Sequence, residues 1–107
     1  MIYLNIGSNL QSVYGDRFKN INKTIDLIKC LRVGIKAVSS TYETPSYPCK
    51  KYPKFLNLCL KIDTNMSVVK LFNQLKLIEK KLGRLRSFKN APRICDIDII
   101  DFKGIIF

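Results

Sequence analysis

The run Phe55-Leu56-Asn57-Leu58-Cys59-Leu60-Lys61-Ile62-Asp63 alternates without a break. Leu56, Leu58, Leu60 and Ile62 fall on one side; Phe55, Asn57, Cys59 and Lys61 fall on the other. Successive side chains of a strand point to opposite faces, so this stretch reads as a strand with one apolar face to bury and one face left open. Elements of the other period surround it. Phe18, Ile21, Ile25 and Ile28 mark one face of a helix from about Asp16 to Cys30. Val68, Leu71, Phe72, Leu75, Ile78 and Leu82 form the stripe of a second helix, with Ser67 as its N-cap and Gly83 placed to end it.

Three further stretches complete the order. Residues 2–7 read as a strand ending at a Gly7-Ser8-Asn9 turn signal, and residues 33–43 as a β-branched strand broken by Thr44-Pro45. A strand at about 94–102 follows a basic loop, and Ile105-Ile106 after Gly104 can begin another. The expected class is α+β, in the order β-α-β-β-α-β. That is the ferredoxin-like arrangement, a four-stranded antiparallel sheet with two helices on one face. With 107 residues, a single domain over 1–107 is expected.

Composition narrows the function. No histidine is present and no two cysteines stand as Cys-x-x-Cys, which argues against structural zinc and for free buried thiols in a reducing compartment. No apolar run has the length of a membrane span, and the first residues lack the charged start and cleavage site of a signal peptide. A cytoplasmic location and no membrane partner are expected. Nineteen basic residues against eight acidic ones invite a polyanionic partner.

Two of those eight acids, Asp96 and Asp98, stand two apart in an apolar, β-branched run. On a strand both face one way, with Ile97 and Ile99 opposite, at a separation of roughly 6–7 Å. The pair suits gripping divalent cations, or it serves as solubilising edge residues paired with arginines. The preceding loop carries Arg84, Arg86, Lys89 and Arg93. Cations beside metal-competent carboxylates form a pattern for polyphosphate chemistry, since arginine forks hold phosphate oxygens while carboxylates hold Mg²⁺. Thr44-Pro45 with Phe55 and Asn57 offers backbone, an aromatic ring and an amide to a flat heterocycle, or simply makes a turn and a satisfied Asn. Taken by itself, Glu79 reads as a solvated helix-face residue.

Together these pieces resemble the 6-hydroxymethyl-7,8-dihydropterin pyrophosphokinase family of folate biosynthesis. The resemblance is carried by Tyr3 through Leu10, Ser39 through Pro45, Phe55-Leu56-Asn57, Ile78-Glu79 with Leu82 through Arg86, and Lys89 through Ile100. It implies transfer of pyrophosphate from ATP to the pterin, giving AMP, with two Mg²⁺ ions held by Asp96 and Asp98. It implies phosphate contacts and catalytic roles for Arg84, Arg86 and Arg93, and ATP contacts also from Glu79, Lys89 and Ile99. Thr44, Pro45 and Asn57 would read the pterin edge, with Phe55 stacked on its ring. Small-molecule substrates, no nucleic acid and a monomer are expected. The basic loop is about one residue short of the family pattern and lacks the tryptophan common there. Family members usually continue past this chain's last residue, so a C-terminally short form is expected. Binding without turnover is the alternative, and an RNA-binding module of the same topology ranks last.

Overall fold

The computed structural model describes residues 1–46, 51, 53–83 and 94–106. The elements are β1 (Ile2–Ser8), α1 (Arg17–Lys29), β2 (Gly34–Val38), β3 (Tyr42–Thr44), β4 (Phe55–Asp63), α2 (Val68–Lys81), β5 (Asp96–Phe102) and β6 (Ile105–Ile106). They form one antiparallel sheet in the order β2-β4-β1-β5-β6, with β3 also paired to β4. Ile2, Leu4 and Ile6 of β1, Leu58, Leu60 and Ile62 of β4 and Ile97 of β5 are buried against Ile21 and Ile28 of α1 and Leu71, Leu75 and Ile78 of α2. Both helices therefore cover one face, and no described element covers the other. This is the ferredoxin-like α+β arrangement expected.

Among the described residues the strand count is six rather than four, because the expected 33–43 strand is two pieces, both paired to β4, and β6 adds a short edge. Ser39 makes the break. Its N–H donates to the Cys59 carbonyl at 2.9 Å, while its Oγ accepts the Cys59 N–H at 2.8 Å. A side chain here takes the place of a ladder carbonyl, so regular pairing stops while attachment to β4 continues.

α1 begins as expected, with Asp16 as its N-cap accepting from the Lys19 N–H. Its buried face is rotated from the apolar count, however. Phe18 is 51% exposed, and the buried residues are Asn20, Ile21, Thr24 and Ile28. Asn20 Nδ2 donates to Ser8 Oγ at 3.2 Å and to the Leu10 carbonyl at 2.7 Å, and its Oδ1 accepts from Ser12 Oγ. Thr24 Oγ1 donates to the Asn20 carbonyl and touches Cys95 Sγ. Satisfied polar groups can occupy a core, and counting apolar residues does not find them.

The same partners correct the turn at Gly7-Ser8-Asn9, because β1 runs on through Ser8, and Ser8 and Asn9 are buried. α2 starts on Ser67 and is followed by Gly83 at φ +98°, the conformation glycine supplies after a helix. Phe72 lies outside its buried stripe and is largely exposed. Cys30 caps the end of α1 in the open; of the cysteines described, only Cys95 is buried. No helix among the described residues is long and apolar enough to cross a membrane.

Candidate functional site

The site is built on the open face around β1, which lies between β4 and β5. Gly7 pairs with Asn57 on one side and Asp96 on the other, and Asn5 pairs with Cys59 and Asp98. Paired residues share a face, so Asn57, Cys59, Asn5, Asp96 and Asp98 all project from the uncovered side. Two strand spacings put the Asn57 and Asp96 backbones roughly 9–10 Å apart. Gly7 leaves the space between them clear: a Cβ there would stand 3.1 Å from Asn57 Oδ1 and 3.4 Å from Phe55 Cδ1.

The amide of Asn57 is held in one orientation. Its Nδ2 donates to Thr44 Oγ1 at 2.8 Å, and its Oδ1 accepts from Asn5 Nδ2 at 3.4 Å. Asn5 Oδ1 in turn accepts from the Tyr42 hydroxyl at 2.9 Å and from Cys59 Sγ at 3.6 Å. Burial, then the neighbouring Cys59 thiol, holds the Tyr42 phenol above its ordinary pKa. Asn9 braces the adjoining loop, donating through Nδ2 to Ser46 Oγ at 3.0 Å and to the Pro53 carbonyl at 3.2 Å. That bond ties the Thr44-Pro45-Ser46 corner to the approach of β4. Thr44, Pro45, Phe55 and Asn57 are thus brought to one corner of the sheet.

β5 carries the acids as its alternation foresees. Ile97 and Ile99 face the core, Asp98 is exposed and Asp96 is half-buried. The register then shifts: Ile99 opposes Leu4 and Asp101 opposes Tyr3, so Ile100 is an extra residue, a β-bulge. The bulge lets Phe102 join Ile97 and Ile99 on the core face, and it frees Asp101 Oδ1 to accept the Gly104 N–H at 2.8 Å. Beside β5 lies a groove of about 670 Å³ lined by Val68, Val69, Phe72, Asp98, Ile99 and Ile100.

Glu79 corrects the reading of a solvated helix face. Its side chain is 2% exposed; Oε2 accepts the Ile97 N–H at 2.7 Å and Oε1 meets Lys76 Nζ at 3.1 Å. The spacing Leu75-Glu79-Leu82 already sets it on the buried stripe, a signal that its charge concealed. Asn5, Asn9, Tyr42 and Ser46 carried no comparable signal. Arg84, Arg86, Lys89 and Arg93 lie outside the described residues.

Could this face hold Mg²⁺? Asp96 and Asp98 offer hard oxygen donors from one strand face, which is the donor chemistry Mg²⁺ takes. Among the described residues no cluster of three or more His, Cys, Asp or Glu side chains is placed to hold a metal, so the acid pair has no third such ligand there.

Comparison with known proteins gives a consistent result. The family model described as 7,8-dihydro-6-hydroxymethylpterin-pyrophosphokinase matches residues 3–106. The chain is 35% identical over 102 residues to the 2-amino-4-hydroxy-6-hydroxymethyldihydropteridine pyrophosphokinase of Aquifex aeolicus, covering 95% of this chain and 61% of that protein. The protein of that name from Bacillus subtilis is 33% identical over 101 residues, covering 94% and 58%. The folic acid synthesis protein of Schizosaccharomyces pombe is 33% identical over 106 residues, covering 98% of this chain and 14% of its own length. The chain therefore spans less than two thirds of the length of each of these relatives.

Proposed function

The chain belongs to the 7,8-dihydro-6-hydroxymethylpterin-pyrophosphokinase family, and from that premise we propose that it transfers the terminal pyrophosphoryl group of ATP to the hydroxymethyl oxygen of the dihydropterin. The products are the pterin diphosphate and AMP, and the step belongs to folate biosynthesis. One observation carries the reading: Asn57 and the Asp96–Asp98 pair flank Gly7 on a single uncovered sheet face.

In this reading the Asn57 amide and Thr44 hydroxyl bond the heterocycle edge, Pro45 borders it and Phe55 stacks on its ring. A pterin seated there points its hydroxymethyl group across Gly7 toward the acids. Asp96 and Asp98 would hold two Mg²⁺ ions, which when bound would neutralise phosphate charge. Arg84, Arg86, Lys89 and Arg93 bind the phosphates, with Arg84, Arg86 and Arg93 also steadying charge during transfer. The nucleotide follows the groove past Ile99, with Glu79 behind it. Phosphoryl transfer asks mainly for positioning and charge stabilisation, so a site without histidine is competent. The reading also takes the protein to be a cytoplasmic monomer.

The test is direct. With ATP, Mg²⁺ and the hydroxymethyl dihydropterin, the protein should release AMP, and Asp96→Ala and Asp98→Ala should each abolish release. Mg²⁺-dependent calorimetric binding of a non-hydrolysable ATP analogue with no AMP release would establish binding without turnover instead.

A further inference from the structure

We infer that Glu79 is a positioning residue for the acid pair, its buried carboxylate fixing β5 at Ile97 and so setting the separation of Asp96 and Asp98. The inference deepens the proposed function and rests on the reading that these aspartates hold cations.

Hydrogen-bonding direction alternates along an antiparallel strand. An Ile97 N–H that reaches Glu79 therefore leaves the main-chain groups of Asp96 and Asp98 turned toward Gly7 and Asn5 of β1. The segment is held at three points, the outer two by β1 and the middle one by α2. β6 pairs only with Asp101 and Phe102, so no described strand takes the outward N–H of Ile97. A side chain does there what a neighbouring strand would do.

The choice of residue is informative. Leucine at 79 would continue the stripe of Leu71, Leu75, Ile78 and Leu82, and burying a carboxylate instead costs free energy unless its oxygens are engaged. Here both are, and the 2.7 Å contact lies at the short end for an N–H bonded to a charged acceptor. Loss of the acceptor would strand a buried N–H midway between the two acids and release the strand where their spacing is set.

The experiment compares the full chain with Glu79→Gln, which keeps an oxygen for Ile97, and Glu79→Leu, which keeps only the bulk. Two measurements are made: Mn²⁺ affinity by electron paramagnetic resonance, and amide exchange at Ile97 by NMR. The leucine variant should lose about tenfold or more in Mn²⁺ affinity, as when residues that orient metal ligands are replaced, and should exchange Ile97 quickly. The glutamine variant should lose less on both counts. Leucine equal to wild type, or glutamine as weak as leucine, overturns the inference. Should the leucine variant fail to fold, Ile97 in the wild type decides, because exchange as fast as at the exposed Val13 contradicts the anchor and protection sustains it. A wild-type chain that binds no Mn²⁺ would sink the cation reading of the aspartates while the exchange data still judge the anchor.

Discussion

Gly7 is the residue through which the two halves of the proposed site meet. Its φ lies outside the left-handed region, so the backbone there would accept alanine, but the added Cβ would press on Asn57 Oδ1 and Phe55 Cδ1. Both are ends of side chains that can give by a few tenths of an ångström. Gly7→Ala should therefore cost only about 1 kcal/mol of stability while raising the pterin KM about tenfold, because small misplacements of binding groups are costly. A melting curve and a substrate titration on the same sample separate the two effects; a large stability loss with an unchanged KM would assign Gly7 to packing. Tyr42 supplies a second residue-scale test. Its folded pKa is raised, so the neutral phenol is the form favoured by the fold. The stability it contributes is complete below the ordinary tyrosine value near 10 and is lost as pH rises through the higher folded value. Cys59→Ala should bring the phenol's ultraviolet titration down toward the ordinary value. An unmoved curve would show that the thiol has no part in the shift.

Among the elements, α1 is fastened by a polar residue rather than an apolar one. Asn20→Ala removes the partner of Ser8 Oγ, Ser12 Oγ and the Leu10 carbonyl and should lower unfolding stability by about 1–3 kcal/mol, read as a shift in denaturant midpoint. A midpoint within error of wild type would mean that water replaces those bonds. This helix also shows where sequence reading ran out. β4 was legible from Phe55 to Asp63 because strict alternation has one interpretation, and the faces of Ile97 and Asp98 followed from the same rule. The face of α1 was not legible, since Asn20 and Thr24 are core residues only by virtue of partners distant in sequence. The break between β2 and β3 depends on the Ser39 hydroxyl reaching Cys59, and the bulge at Ile100 on registering β5 against β1; neither has a local signature. Strand spacing put Asp96 with Asp98 and Phe55 with Asn57 on shared faces, but only the family resemblance joined them and Thr44 into one expected site. The brackets that aim them, Asn5, Tyr42 and Glu79, are ordinary residues made specific by contact.

Across the whole molecule, one sheet separates two tasks: the helix side packs, and the open side presents the polar groups. The core does not pass through the acid pair, so a chelator should leave the fold intact. Saturating Mg²⁺ should raise the melting temperature of the wild type, with about 2.7 kcal/mol of stabilisation at a hundred times the dissociation constant. Asp98→Ala should show no such rise, and an equal rise in both proteins would place the ion elsewhere. The sheet order also has a consequence in time. β1 is the first strand in the chain, yet both of its neighbours, β4 and β5, come from the second half. On a growing chain it therefore waits for residues 55–63 before it can pair, and for residues 96–102 before its second edge is closed. Closing such long loops costs entropy before any contact repays it, which makes mixed folds of this kind slower than helical bundles. The central strand of the finished sheet is thus among the last to be enclosed, and refolding should proceed in milliseconds or longer rather than microseconds.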